Sequence, residues 1–290
     1  MTTRVGLIGL GNMGQAMVHT LKNAGFSLIG CDISSTNRAT LATEIEVLAD
    51  ATELCRRCST VLLSLPSSRE VEQVTRTAFL PQAAPDSLLI DLSTPDPKSS
   101  RALHAELQSA GHSMLDAPVS GGPAGAAAGS LLIMVGGTVN TLDRARPILE
   151  VLAGKIVHCG NAGAGNVVKL IGNLLCASHL ALIGEALALG DANAIEPDLL
   201  LEALNAGSGQ SRVSELHTPR WVLSGTFDSG FTMGLMRKDV GLALALAQQS
   251  QITAPLTQTM ADIWQDVALD NQDDFTQLAQ FIREGRHEPR

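Results

Sequence analysis

Short apolar runs alternate with helix-period segments through the first half of the chain. Continuous apolar runs of this length are typical of strands buried on both faces, and their alternation with helices predicts a parallel sheet with helical crossovers. A Rossmann-type, doubly wound α/β fold is therefore predicted. The predicted strands are Val5–Gly9, Ser27–Asp32, Thr60–Leu65, Ser87–Leu92, Leu131–Val135 and Lys155–His158.

After about residue 160 the strand pattern gives way to helical periodicity. A chain of 290 residues is long enough for two hydrophobic cores. We therefore predict an α/β domain over residues 1–162 and an all-helical domain over residues 163–290. The predicted helices are a long apolar one at about 165–194, then Pro197–Asn205, Thr232–Gln249, Pro255–Val267 and Asp273–Glu284.

Polar residues interrupt the long apolar helix. Lys169, Asn173, His179 and Glu185 recur along it, and such groups are costly in lipid, so a buried helix is predicted rather than a membrane span. Lys169 and Asn173 lie one turn apart and share a helix face. A lysine in apolar surroundings releases its proton more readily, which suits acid–base chemistry.

Charge and cysteine content exclude several classes of protein. The net charge of −9 argues against a nucleic-acid partner or an anionic membrane surface. The five cysteines are scattered, which argues against a disulfide scaffold, and Cys55-x-x-Cys58 has no second pair with which to hold zinc, so no metal site is predicted. The start of the chain lacks a basic-then-apolar leader, so we expect a cytoplasmic protein.

A glycine-rich turn directly follows the first predicted strand and opens a helix over Met13–Ala24. In a G-x-G-x-x-G motif of this kind, the first glycine permits the turn, the second admits a pyrophosphate and the third lets helix pack on strand. The phosphates then meet free N–H groups at the helix start. The predicted cofactor-binding residues are Gly9, Gly11, Asn12, Met13 and Gly14.

Asp32 closes the second predicted strand, 18 residues after Gly14. Its carboxylate is placed to accept hydrogen bonds from the adenosine ribose hydroxyls and to repel a 2′-phosphate. The next residue is Ile33 and not an arginine. NAD is therefore the predicted cofactor, with NADP as the alternative; a solvated acid at a strand end is the other interpretation of Asp32.

The chain contains no tyrosine. This excludes the Tyr-x-x-x-Lys arrangement of short-chain dehydrogenases. If the protein is a dehydrogenase, another group must move the hydroxyl proton, and Lys169 is the candidate.

Five motifs in order resemble those of the β-hydroxyacid dehydrogenases, the family of 3-hydroxyisobutyrate dehydrogenase and tartronate semialdehyde reductase. The resemblance covers nearly the whole chain and is specific for the family, not for the substrate. It implies that Lys169 is the catalytic lysine and that Asn173 orients the substrate. The motifs are GLIGLGNMG at 6–14, Asp91–Thr94, Asp116–Ser130, Gly165–Asn173 and Lys238-Asp239.

The resemblance also implies further site residues. Ser120, Gly121 and Gly122 match the substrate-binding motif; a hydroxyl with successive backbone N–H groups makes a carboxylate cradle, although a tight turn needing glycine is the other interpretation. Ser93 and Thr94 are either near the nicotinamide or a helix N-cap, and the Lys238 ammonium is either at the nicotinamide end or a solvated charge. The remaining residues implied are Phe231 for substrate, and Leu65 and Pro66 for cofactor.

The predicted reaction is hydride transfer between NAD and the hydroxyl-bearing carbon of a small β-hydroxyacid such as 3-hydroxyisobutyrate, or glycerate/tartronate semialdehyde, with Lys169 as general acid–base. Gly172 stands where decarboxylating 6-phosphogluconate enzymes have histidine, which disfavours sugar phosphates. The alternatives are an NADPH-preferring imine or aldehyde-acid reductase and a non-catalytic dinucleotide-binding protein. Apolar segments such as Gly241–Ala247 predict a homodimer or homotetramer.

Overall fold

The computed structural model describes residues 4–285 of the chain. These residues belong to two compact units, which divide between Lys169 and Leu170. The division falls inside the long helix Ala164–Ala192, whereas the sequence pattern placed the domain boundary at 162/163.

A nine-stranded sheet forms the centre of the first unit. Strands β1 to β6 are parallel in the spatial order β3-β2-β1-β4-β5-β6, and β8 runs antiparallel to β6 and β7. This confirms the predicted doubly wound, mainly parallel sheet. The strands are β1 (Arg4–Ile8), β2 (Ser27–Cys31), β3 (Glu46–Leu48), β4 (Thr60–Leu63), β5 (Leu88–Asp91), β6 (Ser113–Asp116), β7 (Val119–Ser120), β8 (Leu131–Gly136) and β9 (Ala153–Gly160).

Helices cover both faces of this sheet. Neighbouring residues of a strand point to opposite faces, so Leu62 packs into one core and Val61 and Leu63 into the other. The helices are α1 (Asn12–Asn23), α2 (Ser35–Leu41), α3 (Ala51–Arg57), α4 (Ser68–Val74) with a π-helical continuation Thr75–Phe79, α5 (Leu80–Gln82), α6 (Pro97–Ser109), α7 (Gly122–Ala127) and α8 (Val139–Leu152).

The strand order places the glycine-rich turn at the point where the winding direction reverses. The chain leaves β1 toward β2 on one side, and β4 pairs with β1 on the other. In open α/β sheets, ligands bind in the crevice outside the carboxyl ends of the strands at this position. The strands β3, β6 and β7 are missing from the predicted strands. Three and two residues in β3 and β7 are too few to show a periodicity, and β6 has only two apolar residues between Ser113 and Asp116.

The second unit is helical and has its own core. Trp264 is fully buried there against methionine, leucine and alanine side chains of several helices. The sequence pattern missed the π-helical segment Val213–Leu223, which contains Pro219 and has little apolar periodicity. The other helices are α9 (Ala164–Ala192), α10 (Pro197–Ala206), α11 (Met233–Gln249), α12 (Pro255–Asp266) and α13 (Gln277–Arg283).

By its length and composition alone, helix α9 could cross a membrane. Among residues 4–285 it is the one helix that meets this test. Its side chains Ala177, Leu180, Ala181 and Ile183 nevertheless lie in the core of the second unit. A core helix of a folded domain passes the same test of length and composition. We therefore interpret α9 as a core helix.

Candidate active site

The three glycines of the turn after β1 have different surroundings. Gly9 has a φ of 98°, and a Cβ on it would lie 2.1 Å from the carbonyl oxygen of Ser64. A Cβ on Gly14 would lie 1.9 Å from the carbonyl oxygen of Gly9, whereas a Cβ on Gly11 would meet nothing within 4 Å. Gly9 and Gly14 are thus required by the protein itself, and Gly11 faces open space that a pyrophosphate can approach.

The start of α1 fits the same ligand. Gly11 is its N-cap residue and has no side chain with which to accept a hydrogen bond, so no side chain caps this end of the described helix. The first N–H groups of a helix lack partners within the helix and attract anions. The backbone of Asn12 and Met13, for which cofactor binding is predicted from the sequence, is at this end of the helix.

The Asp32 carboxylate, directly after β2, accepts a hydrogen bond from the backbone of the glycine-rich turn. Its Oδ2 accepts hydrogen bonds from the Leu10 N–H at 2.7 Å and from Asn37 Nδ2 at 3.1 Å, and its Oδ1 accepts from the Ser34 N–H at 2.7 Å. The sequence analysis missed Arg38, whose guanidinium donates to the carbonyl oxygens of Asp32 and of the residue after it. Asp32 therefore braces the glycine-rich turn in addition to the ribose contact predicted for it.

Ser93 joins the ends of two neighbouring strands. Its hydroxyl accepts a hydrogen bond from the Leu65 N–H at 2.9 Å, and its own N–H donates to Asp91 Oδ1 at 3.0 Å. The N-cap of α6 is Asp96, which accepts from the Lys98 N–H at 2.8 Å. The alternative that Ser93 or Thr94 caps this helix is therefore wrong. Ser93, Thr94, Leu65 and Pro66 all follow the carboxyl ends of β4 and β5, where a cofactor is expected.

The small-residue loop after β6 needs glycine and also exposes backbone donors. Gly121 and Gly122 have φ values of 131° and 64°, which L side chains rarely adopt. Gly121 is the N-cap of α7, and no side chain caps that end of the described helix. Ser120 is exposed beside it. The turn and carboxylate-cradle interpretations are therefore compatible.

Lys169 lies in the second turn of α9 and is 8% exposed. It belongs to the first unit, as do the glycine-rich turn and the Ser120 loop. Asn173, one turn further along the same helix, belongs to the second unit.

Asp239 is the buried partner of two polar side chains of the second unit. It is 2% exposed, accepts a hydrogen bond from Asn173 Nδ2 at 2.5 Å and lies 3.0 Å from Lys238 Nζ. The Asn173 amide is therefore held in one orientation, and the charge of Lys238 has a buried partner. This contradicts the alternative that Lys238 is a merely solvated charge. The sequence analysis included the Lys238-Asp239 dipeptide as a family motif but did not predict the bond between Asn173 and Asp239.

Phe231 belongs to an aromatic cluster in the second unit. Its ring packs edge-on against Phe275 with centroids 5.6 Å apart, and Phe275 packs edge-on against His217 at 5.9 Å. His217 also lies 5.0 Å from the Trp221 ring and 4.0 Å, by Nδ1, from Cys176 Sγ. Cys176 and Asn173 are three residues apart on α9, which places this cluster beside Asn173 on one helix face.

His217 is neutral at physiological pH. Burial and, to a smaller extent, the Arg212 charge lower the pKa of its imidazole to about 4, against an opposing effect of Asp274. The sequence pattern could not place His217, because it lies in the π-helical segment.

Three buried cysteines are poor candidates for a catalytic or metal-binding site: Cys31, Cys55 and Cys58. Burial raises the pKa of Cys55 to about 12 and those of Cys31 and Cys58 to about 11, so they stay protonated thiols. Within residues 4–285, no group of three or more His, Cys, Asp or Glu side chains is arranged to hold a metal ion.

Two family models match consecutive parts of the chain. The model of the NAD binding domain of 6-phosphogluconate dehydrogenase matches residues 4–160. The model described as the NAD-binding domain of NADP-dependent 3-hydroxyisobutyrate dehydrogenase matches residues 163–282. Together they cover both units.

Individual relatives match over nearly the full length. A probable 3-hydroxyisobutyrate dehydrogenase of Mycobacterium tuberculosis is 37% identical over 291 aligned residues, covering 97% of this chain and 98% of that protein. An NAD-dependent L-serine dehydrogenase of Pseudomonas aeruginosa is 37% identical over 263 residues, covering 87% and 88%. A solved structure of the M. tuberculosis 3-hydroxyisobutyrate dehydrogenase with L-serine aligns with a TM-score of 0.90 at 36% identity, covering 98% of this chain and 100% of that one.

Proposed function

The chain belongs to the β-hydroxyacid dehydrogenase family and is an NAD(P)-dependent oxidoreductase, and we propose that it transfers a hydride between NAD and the hydroxyl-bearing carbon of a small β-hydroxyacid. The observation that carries this proposal is Lys169, a nearly buried lysine on α9, one turn before an asparagine whose amide is held by Asp239. A protein that only binds a dinucleotide has no use for this arrangement.

Lys169 is the proposed general acid–base. In the oxidative direction its neutral amine takes the proton from the substrate hydroxyl; in reduction the ammonium returns it. Proton transfer by a positioned group is worth about 10²–10⁴-fold in rate. Bound NAD supplies the acceptor for the hydride that leaves the carbinol carbon.

Asn173 is proposed to align that hydroxyl. Its Nδ2 donates to Asp239, so its Oδ1 is left as the atom that accepts from the substrate. An amide fixed in this way costs less entropy on binding than a free one.

The substrate carboxylate is proposed to bind at Ser120, Gly121 and Gly122. The Ser120 hydroxyl and the N–H groups at the start of α7 supply donors for an anion. Phe231 is proposed to cover the apolar part of the substrate, since its ring is fixed by packing against Phe275.

The proposal is tested by measuring NAD and NADP reduction with a set of small β-hydroxyacids. We expect turnover with 3-hydroxyisobutyrate, glycerate or L-serine, and a preference for NAD because the Asp32 carboxylate repels a 2′-phosphate. The matched control is the methyl ester of each substrate, for which kcat/KM should fall at least about tenfold because the loop donors lose their anion. Absence of turnover with every acid would contradict the proposed reaction, and a strong preference for NADP would contradict the role of Asp32.

We further propose that the enzyme is cytoplasmic and associates with copies of itself through α9. Five large aliphatic side chains on this helix are 41–66% exposed. Four of them recur every seven residues and form one apolar stripe, a pattern typical of helices that pair. The residues are Val168, Ile171, Leu175, Leu182 and Leu189.

Light scattering after size-exclusion chromatography tests this association. Leu182→Glu should shift the protein toward monomers, because a buried charge in the stripe would be unpaired. Leu256→Glu is the control, since Leu256 is 80% exposed on α12 and lies outside the stripe. A monomeric wild-type protein, or equal behaviour of the two variants, would contradict the proposed interface.

A further inference from the structure

Asp116 is a fully buried carboxylate at the end of β6. Its Oδ1 accepts a hydrogen bond from the Gly163 N–H at 2.8 Å, and its Oδ2 accepts one from the Asn166 N–H at 3.1 Å. These two N–H groups flank the start of α9, so Asp116 caps this helix from a distant strand. Charge-assisted bonds of this kind are about twice as strong as neutral ones.

Two glycines make room for the carboxylate. A Cβ on Gly136 would lie 2.5 Å from Asp116 Oδ1, and a Cβ on Gly165 would lie 3.0 Å from Asp116 Oδ2. Any other residue at Gly136 would displace the carboxylate from α9. The absence of a side chain at Gly136 therefore serves the placement of this carboxylate, whereas Gly165 is required first by the Met134 carbonyl oxygen, from which its Cβ would lie 2.4 Å.

Further polar contacts connect the same helix start to α6. Asn166 is fully buried and donates through Nδ2 to Ser100 Oγ at 3.0 Å, and His104 Nε2 lies 3.3 Å from Asp116 Oδ1. Helix α9 is thus fixed by side chains of β6 and α6. All of these residues belong to the first unit.

Asp116 lies between two parts of the proposed site. It is four residues before Ser120 along the chain, and Asn166, which it bonds, is one helical turn before Lys169. One carboxylate therefore ties the strand that leads into the substrate loop to the helix that carries the lysine. A displacement of about 1 Å at a reacting group costs about 10²-fold in rate.

We propose that Asp116 is a positioning residue, which sets the register of Lys169 relative to the Ser120 loop by capping α9. This inference rests on the proposed function of Lys169. Asp116 is fully buried, so the role proposed for it is exerted through the helix that it caps. Its neutral isostere asparagine keeps one acceptor oxygen but turns an NH2 group toward one of the two helix N–H groups.

A double-mutant cycle between Asp116 and Lys169 tests the proposal. On the wild-type background Asp116→Asn should lower kcat by about 10- to 100-fold and leave the Kd for NADH within twofold, at a temperature where circular dichroism shows the variant folded. On a Lys169→Ala background, measured over long incubations at high enzyme concentration, the same change should lower kcat less than twofold, because no lysine remains to be positioned. The solvent deuterium isotope effect on kcat should also rise in Asp116→Asn.

The outcomes separate the two proposals. Unchanged turnover in Lys169→Ala would contradict the proposed function, whereas an equal fall of kcat on both backgrounds, or no fall at all, would contradict the positioning role only. Asp50→Asn is the matched control, since Asp50 caps α3 by accepting from the Thr52 N–H at 2.8 Å, and its kcat should stay unchanged. Should Asp116→Asn fail to fold, Ser100→Ala removes the acceptor of Asn166 and should lower kcat by about two- to fivefold, again only where Lys169 is present.

Discussion

Replacing Lys169 with alanine should lower kcat for hydroxyacid oxidation by about 10²–10⁴-fold, because the alcohol then loses the group that takes its proton. The Kd for NADH should stay nearly unchanged, since the turn after β1 and the start of α1 hold the dinucleotide. Steady-state kinetics and NADH fluorescence titration measure the two quantities separately.

Lys169→Arg distinguishes proton transfer from charge. Arginine keeps the positive charge but stays protonated at all working pH values, so it cannot act as the base. We expect a loss of kcat close to that of alanine. The control is Lys155→Ala, since Lys155 is an exposed lysine of the first unit on β9, and its kcat should match the wild type. Wild-type turnover in either Lys169 variant would refute its role as general base.

Gly11→Ala should weaken NAD binding by about 10- to 100-fold while the protein folds normally. The backbone of Gly11 has a φ of −67°, which alanine adopts, and its added Cβ meets no protein atom within 4 Å. The new methyl group instead occupies the space through which a pyrophosphate approaches the start of α1. Isothermal titration with NAD and thermal unfolding without NAD measure the two effects.

Gly241→Ala is the matched control for this substitution. Its Cβ also meets nothing within 4 Å, but it lies on α11 of the second unit and is not part of the glycine-rich turn. The variant should bind NAD like the wild type and, by the higher helix propensity of alanine, unfold at the same or a slightly higher temperature. Equal NAD affinity of the two variants would show that Gly11 does not face the cofactor.

The sequence by itself determined the doubly wound sheet, the glycine-rich turn after the first strand and the long helix that carries Lys169 and Asn173. The sheet and the helix follow from local periodicity, and the G-x-G-x-x-G spacing of the turn is visible in the sequence itself. The family also followed from the sequence, because its motifs are short and occur in a fixed order. The sequence did not predict short strands such as β3 or the π-helical segment with Pro219, because neither has a hydrophobic period long enough to detect.

The tertiary structure decided which polar groups support the site. The Leu65–Ser93 bond joins residues 28 apart in sequence, the Asp116–Gly163 bond joins residues 47 apart, and the Asn173–Asp239 bond joins residues 66 apart. No local pattern encodes such contacts, because they depend on strand order and on the packing of separate helices. A buried carboxylate must find donors wherever the fold brings them, and in this protein the fold brings them to the start of the helix that holds Lys169.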